Sequence, residues 1–237
     1  MDYSSRTIPT GCKGLDSMLD GGLKPGLMYL FYGEAGTGKT TLAIQLAVNA
    51  AMMNLKCIFV DPESSFSTER LSQISGSHLS KISPLILIIQ PESFEMQGYF
   101  VDHLHEYLTG RVGLIIFDTI TSLYRLELGS KAESFVLNRE LNRQLAFIAD
   151  AIKGSGAAAM LTAQVRHQLS ENVDPEAVEP VATRILNYWS DVVIRLKRSS
   201  KSGVIQASIE KGFKRGESSV INLKICENGI RGLEVRG

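Results

Sequence analysis

Gly33-Glu34-Ala35-Gly36-Thr37-Gly38-Lys39-Thr40 is the stretch on which the reading of this chain turns. It matches G-x-x-x-x-G-K-[ST] at every defined position. A continuous apolar run, 27–32, precedes it, and an Ala/Leu/Met-rich helical stretch, 39–53, follows. Strand, glycine-rich loop and helix in that order are the context in which the pattern has a mechanism. The glycines let successive backbone N–H groups curl inward around an anion. The helix starting near Gly38 turns the positive end of its dipole toward the same point. Lys39 is placed to reach the β- and γ-phosphates of a nucleotide such as ATP, and Thr40 to offer its hydroxyl to Mg2+. The expected phosphate-binding set is Gly33, Glu34, Ala35, Gly36, Thr37, Gly38, Lys39, Thr40 and Thr41.

Outward from the loop, short β-type runs alternate with helical ones. Strands are expected at 27–32, 57–61, 85–89, 112–117 and 157–162. Helices are expected at 39–53, near 67–75, near 95–108 and at 132–153, the last closed by Gly154 and Gly156. Such alternation means βαβ crossovers and a parallel sheet. The tail differs: 192–197, 204–209 and 220–225 are strand-like with no helix between them, and the connections at 199–203 and 212–218 are short. An antiparallel extension fits that pattern. The expected architecture is one α/β domain over 1–237: a lead-in at 1–25, a mainly parallel twisted sheet flanked by helices, and an antiparallel flank at 191–237.

Composition narrows the class. The 237 residues carry 25 Lys+Arg against 25 Asp+Glu, which excludes a uniformly basic coat for nucleic acid but not a local patch. No window holds 18 uninterrupted apolar residues, so no membrane span is expected. The first six residues lack the apolar segment of a secretory signal. Three distant cysteines, Cys12, Cys57 and Cys226, suggest neither a disulfide framework nor a zinc site, and they read as reduced thiols in a cytoplasmic protein, with Cys57 and Cys226 buried in strands.

Besides the loop's hydroxyl, a nucleotide site needs a carboxylate near the metal. Leu114-Ile115-Ile116-Phe117-Asp118 places one at the carboxyl end of a buried strand, the edge where ligands of open α/β sheets lie. Asp118 is the expected partner of Thr40 for Mg2+. Hydrolysis further needs a group that polarises water. Asp61 and Glu63 follow the second strand on the same edge; Glu63, farther into the loop, has the better reach, although spacing alone leaves it open between this role and a solvated loop acid. Gln164 ends the fifth strand there, where a neutral amide can sense the γ-phosphate by a hydrogen bond.

Four stretches together resemble the ATPase core of RecA/RadA-type recombinases: 8–22 (IPTGCKGLDSMLDGG), 61–71 (DPESSFSTERL), 117–125 (FDTITSLYR) and 161–165 (LTAQV). The resemblance runs in order from about residue 5 to the end, and is strongest to an archaeal paralogue that consists of the core alone. It implies a RecA-like P-loop fold and ATP with Mg2+ as ligands. It implies that Glu63 activates water, that Arg70 and Gln73 contact the adenine, and that Gln164 senses the γ-phosphate. Tyr124 and Arg125 match the root of the first DNA-binding loop, and Arg166 the root of the second. The implied role is that of an accessory protein of homologous recombination and DNA repair, with weak ATP hydrolysis and no strand exchange of its own. DNA, a RadA-type recombinase and a Holliday-junction nuclease are the implied partners.

The departures point the same way. The helical domain that precedes the core in RadA-type recombinases is not expected here, and none of the nine phenylalanines starts a Phe-x-x-Ala segment. The stretch 168–180 holds Glu171, Asp174, Glu176 and Glu179 with no Lys or Arg, which repels a phosphate backbone. Basic residues gather instead at 195–215, where Lys201 and Lys214 near hairpin tips are the expected DNA contacts. An edge strand blunted by lysines is the alternative. Lys211, Lys214 and Arg215 also lie where RecA-like oligomers place a Lys-x-Arg pair that reaches a neighbour's nucleotide, but Phe213 stands where that pattern has Arg. The competing functional reading is a RecA/KaiC-like regulatory ATPase that acts on protein partners without DNA.

Overall fold

The computed structural model describes residues 7–108, 110–129, 131–167, 178–180, 182–213 and 220–233. The lead-in folds through helix α1 (Lys13–Met18) and closes on itself by a bridge between Ile8 and Leu23. Strand β1 (Met28–Gly33) then enters the centre of the sheet, buried at every residue. Its side chains divide by parity. Tyr29 and Phe31 join the core on one face, with Leu42 and Leu46 of α2 (Lys39–Met52). Met28, Leu30 and Tyr32 join the core on the other, with Leu141 and Leu145 of the long helix named below. A strand covered on both faces must be apolar throughout, which is why 27–32 reads as an uninterrupted run. Each such side chain taken from water contributes about 2 kcal/mol.

After α2 the chain runs through β2 (Lys56–Val60), α3 (Thr68–Ser75), α4 (Leu79–Ile82), β3 (Ile86–Ile89), α5 (Phe94–Asp102), α6 (Leu104–Tyr107) and β4 (Val112–Phe117). Next come α7 (Ser122–Leu126), α8 (Lys131–Ser155), β5 (Ala158–His167), β6 (Val178–Pro180) and α9 (Thr183–Trp189). The last strands are β7 (Val192–Arg198), β8 (Val204–Lys211), β9 (Val220–Cys226) and β10 (Gly229–Gly232). The main sheet runs β10-β9-β8-β7-β1-β5-β4-β2-β3, with β6 added antiparallel to the overrun of β5. Among the described residues no helix is long and apolar enough to cross a membrane.

The mainly parallel sheet with an antiparallel flank is as expected, but its boundary moves. β7 pairs parallel with β1, so it belongs to the parallel part, and the antiparallel flank begins at β8. The reason is α9, a seven-residue helix that returns the chain across the sheet. The expected helix at 95–108 is two, α5 and α6, separated at His103. Gly154 lies inside α8, and Gly156, at φ +73°, ends it alone. β5 runs five residues past its expected end at 162. Cys226 is half-buried rather than buried.

Candidate functional site

The register of the parallel strands gathers the loop and its neighbours at one edge. Gly33 lies opposite Gln164 on one side and Leu196 on the other. Phe117 is in register with Val60 and with Leu161, so Asp61 and Asp118 emerge beside each other. Gly33 is required by crowding: a Cβ there would stand 2.1 Å from the carbonyl oxygen of Leu196. Gly36 and Gly38 adopt φ +76° and +82°, a conformation that side chains resist. No side chain caps the start of α2, which leaves its first-turn amides for the loop to aim.

Within this cradle Lys39 is buried. Its ammonium donates to the carbonyl oxygens of Gly33 and Glu34, each at 2.8 Å, and the Thr37 hydroxyl donates to Glu34 O at the same distance. Burial pushes the Lys39 pKa down, while the charges of Asp118 and Glu63 pull it back up. Asp118 is 2% exposed and accepts from the Thr162 hydroxyl at 2.5 Å and from Ser65 Oγ at 3.5 Å. Burial holds its carboxyl above the usual range, opposed by hydrogen bonds from Thr162 and Thr40. Thr40 and Asp118 are thus adjacent, as the sequence suggests. A hydroxyl and a buried carboxylate are the hard oxygen donors that Mg2+ takes, and a glycine-lined cradle closed by a buried ammonium fits a polyphosphate.

Glu63 projects from the loop after β2. Gln164 Nε2 donates to its two carboxylate oxygens, and Gln164 Oε1 accepts from Arg125 Nη1. Desolvation and the Asp118 charge raise the Glu63 pKa, with Arg125 opposing. Asp61 has another task. It is fully buried and accepts from Ser65 N and Phe66 N at 2.9 Å and from Ser65 Oγ at 3.0 Å. Its lone pairs hold the loop that carries Glu63.

A family model described as Rad51 matches residues 4–232. The chain belongs to the Rad51 family. The "DNA repair and recombination protein RadB" of Methanococcoides burtonii is 33% identical over 222 residues, 94% of this chain and 96% of that protein. That of Methanothermobacter thermautotrophicus is 31% identical over 229 residues, 95% of this chain and 96% of the relative. The crystal structure of the RadB recombinase matches with a TM-score of 0.81 and 30% identity, over 96% of this chain and 100% of that one.

In this Rad51-family chain the outlying site residues divide. Arg70 bridges α3 to the C-terminal hairpin: Nη1 donates to Gln73 Oε1 at 2.9 Å and to Glu227 O at 2.5 Å, and Nη2 to Cys226 O at 2.6 Å. Gln73 also donates to Glu69 at 3.3 Å. The pair expected at the adenine is therefore tied together beside the turn between β9 and β10. Arg125 is exposed, and its guanidinium donates to Gln164 at the phosphate edge. Tyr124 is a core residue: its ring packs edge-on against Phe94 and its hydroxyl donates to Asn138 at 3.0 Å. Lys201 is exposed in the turn between β7 and β8. Arg166 lies in the β5 overrun, opposite Glu179 in the backbone register. Lys214, Arg215 and the stretch 168–177 lie outside the described residues.

Lys211 does not reach outward. Its ammonium donates to the carbonyls of Asn187 and Ser190, each at 2.6 Å, and so closes the end of α9. Phe213 is partly buried against the core, with the Lys24 ammonium 4.8 Å from its ring centroid. Sequence reasoning missed one cation at the site, Arg198, which lies against the loop itself. The only sequence signal was its place two residues after the strand position paired with Gly33, and that pairing depends on the unexpected parallel β7.

Proposed function

We propose that this chain binds ATP with Mg2+ in the 33–40 loop and serves homologous recombination and DNA repair as a DNA-binding accessory protein. It would hydrolyse ATP weakly and carry out no strand exchange of its own. The observation that carries this reading is the convergence of Lys39, Thr40, Asp118, Glu63 and Gln164 on one sheet edge around a glycine cradle. Lys39 and the backbone amides of 34–40 hold the phosphates. Thr40 and Asp118 hold Mg2+, which when bound offsets negative charge on phosphoryl oxygens. Glu63, with its raised pKa, accepts a proton from water, and Gln164 orients the Glu63 carboxylate. Arg70 and Gln73 border the base. We read the described residues as one ATPase domain, because their strands form one main sheet.

Arg125, Arg166, Lys201 and Lys214 are the proposed DNA contacts, with Arg125 also holding Gln164. A RadA-type recombinase and a Holliday-junction nuclease as protein partners rest on the family resemblance. The repair and recombination role for which the two relatives are named supports the reading. A regulatory ATPase that acts on proteins alone draws on a different observation. An open groove of about 480 Å³ along the sheet-edge strand β3 and helix α5 is lined by Leu87, Met96, Tyr99 and Tyr107, all substantially exposed.

Fluorescence anisotropy of labelled DNA against salt, with and without MgATP, separates the two. Expected is a steep loss of affinity with salt, with Lys201→Ala/Lys214→Ala lowering both affinity and slope. Absence of DNA binding at low salt removes the first reading.

A further inference from the structure

The outer rim of the loop carries a cation that lies outside its sequence motif. Arg198 ends β7, two residues beyond Leu196, the register partner of Gly33. Its guanidinium donates to the carbonyl oxygen of Ala35, and its Nε stands 4.0 Å from the Glu34 carboxylate. Gly36 makes room for it: an ideal Cβ there would stand 2.9 Å from Arg198 Nη2. The loop is thus flanked by two cations from different elements, Lys39 from α2 and Arg198 from β7. They are close enough that the Arg198 charge helps to push the Lys39 pKa down.

The present partners of Arg198 are poor ones. Ala35 O is a single neutral acceptor, and the Glu34 pair is at the limit of ion-pair distance, with the arginine side chain 59% exposed. A guanidinium fork prefers a multidentate anion, and a polyphosphate is one. Lys201, three residues on, sits in the exposed turn and not against the loop's rim.

We propose that Arg198 is a phosphate-binding residue acting within its own subunit: it gives up Ala35 O and Glu34 for the outermost phosphate of a nucleoside triphosphate held by residues 33–40. The inference rests on reading that loop as a nucleotide site. No bond is made or broken in the exchange.

The test is calorimetric titration of wild type, Arg198→Gln, Arg198→Lys and Lys39→Ala with MgADP and with a magnesium complex of a non-hydrolysable ATP analogue, at two protein concentrations. Arg198→Gln should weaken the triphosphate analogue about tenfold or more and MgADP less than about threefold. Arg198→Lys should recover part of the loss, because it keeps the charge without the fork. The ratio should not change with protein concentration. Equal losses for both nucleotides would reduce Arg198 to shaping the loop and overturn the assignment, as would no loss for either. A ratio that collapses on dilution would place the residue at a neighbour's site and overturn it too. Tight wild-type binding lost only in Lys39→Ala leaves the nucleotide site standing while Arg198 falls. Wild type that binds neither nucleotide overturns both.

Discussion

The side-chain amide of Gln164 donates to both carboxylate oxygens of Glu63, at 3.3 and 3.4 Å. The other end of the same amide accepts from Arg125, so one neutral side chain joins an acid on the loop after β2 to a cation on α7. Both bonds fix the amide's orientation, since only its nitrogen can face a carboxylate and only its oxygen a guanidinium. Glu63→Gln should keep nucleotide affinity within about threefold and lower turnover at least about 100-fold. Phosphate release and titration calorimetry on the same preparation check both halves, and surviving turnover would move the base elsewhere.

Asp61 is expected to act through the fold of the loop and not through proton transfer. Asp61→Ala leaves Ser65 N and Phe66 N without their acceptor. A loss on the order of 2–4 kcal/mol of stability follows. Asp61→Asn keeps one acceptor oxygen and should lose less. Urea denaturation measures the difference, and a turnover defect that tracks stability across the two variants distinguishes this role from catalysis.

Asp118 carries a pH signature. Its pKa is raised in the folded protein by burial, so the folded state holds its proton to higher pH than the unfolded chain does. Stability from this group is present below the unfolded aspartate value of about 3.9 and is lost as pH rises through the raised folded value. Asp118→Asn removes that loss while leaving an acceptor for Thr162. The nucleotide-free variant should therefore melt higher than wild type at neutral pH, and the gap should narrow as the solution is acidified toward pH 4. Scanning calorimetry across pH reads the gap; a constant gap refutes the assignment.

Arg70 ties α3 to a hairpin more than 150 positions away, through the carbonyls of Cys226 and Glu227. Arg70→Ala should loosen that hairpin by about 1–2 kcal/mol. Amide exchange at 222–226 and 229–232 would speed up while β1 and β5 stay protected.

The parts of the site that were legible in the sequence are those whose chemistry is local. The 33–40 loop, Asp118 after four apolar residues, and Gln164 just after the strand-like run 157–162 each announce themselves within a few residues of chain. What was not legible depends on pairing between distant strands. β7 reads as antiparallel because the helix before it, α9, has seven residues and too few turns for a helical period to show. With that strand misplaced, Arg198 merges into a basic run and its approach to Ala35 is invisible. Asp61 and Glu63 look alike in sequence; only the inward turn of the first, onto Ser65 and Phe66, separates them. Tyr124 shows the same limit, since an aromatic beside an arginine gives no hint of which one is buried.

The overrun of β5 gives the protein a stiff connecting rod. Thr162 touches Asp118, Gln164 touches Glu63, and the same strand continues unbroken to His167, about 10 Å beyond Gln164 at the rise of an extended chain. β4 flanks the rod as far as Leu161 and β1 as far as Gln164, and β6 takes over antiparallel at 165–167, so backbone hydrogen bonds brace the strand along its whole length. The consequence is that the strand end at His167 and the Glu63–Gln164 contact belong to one braced element.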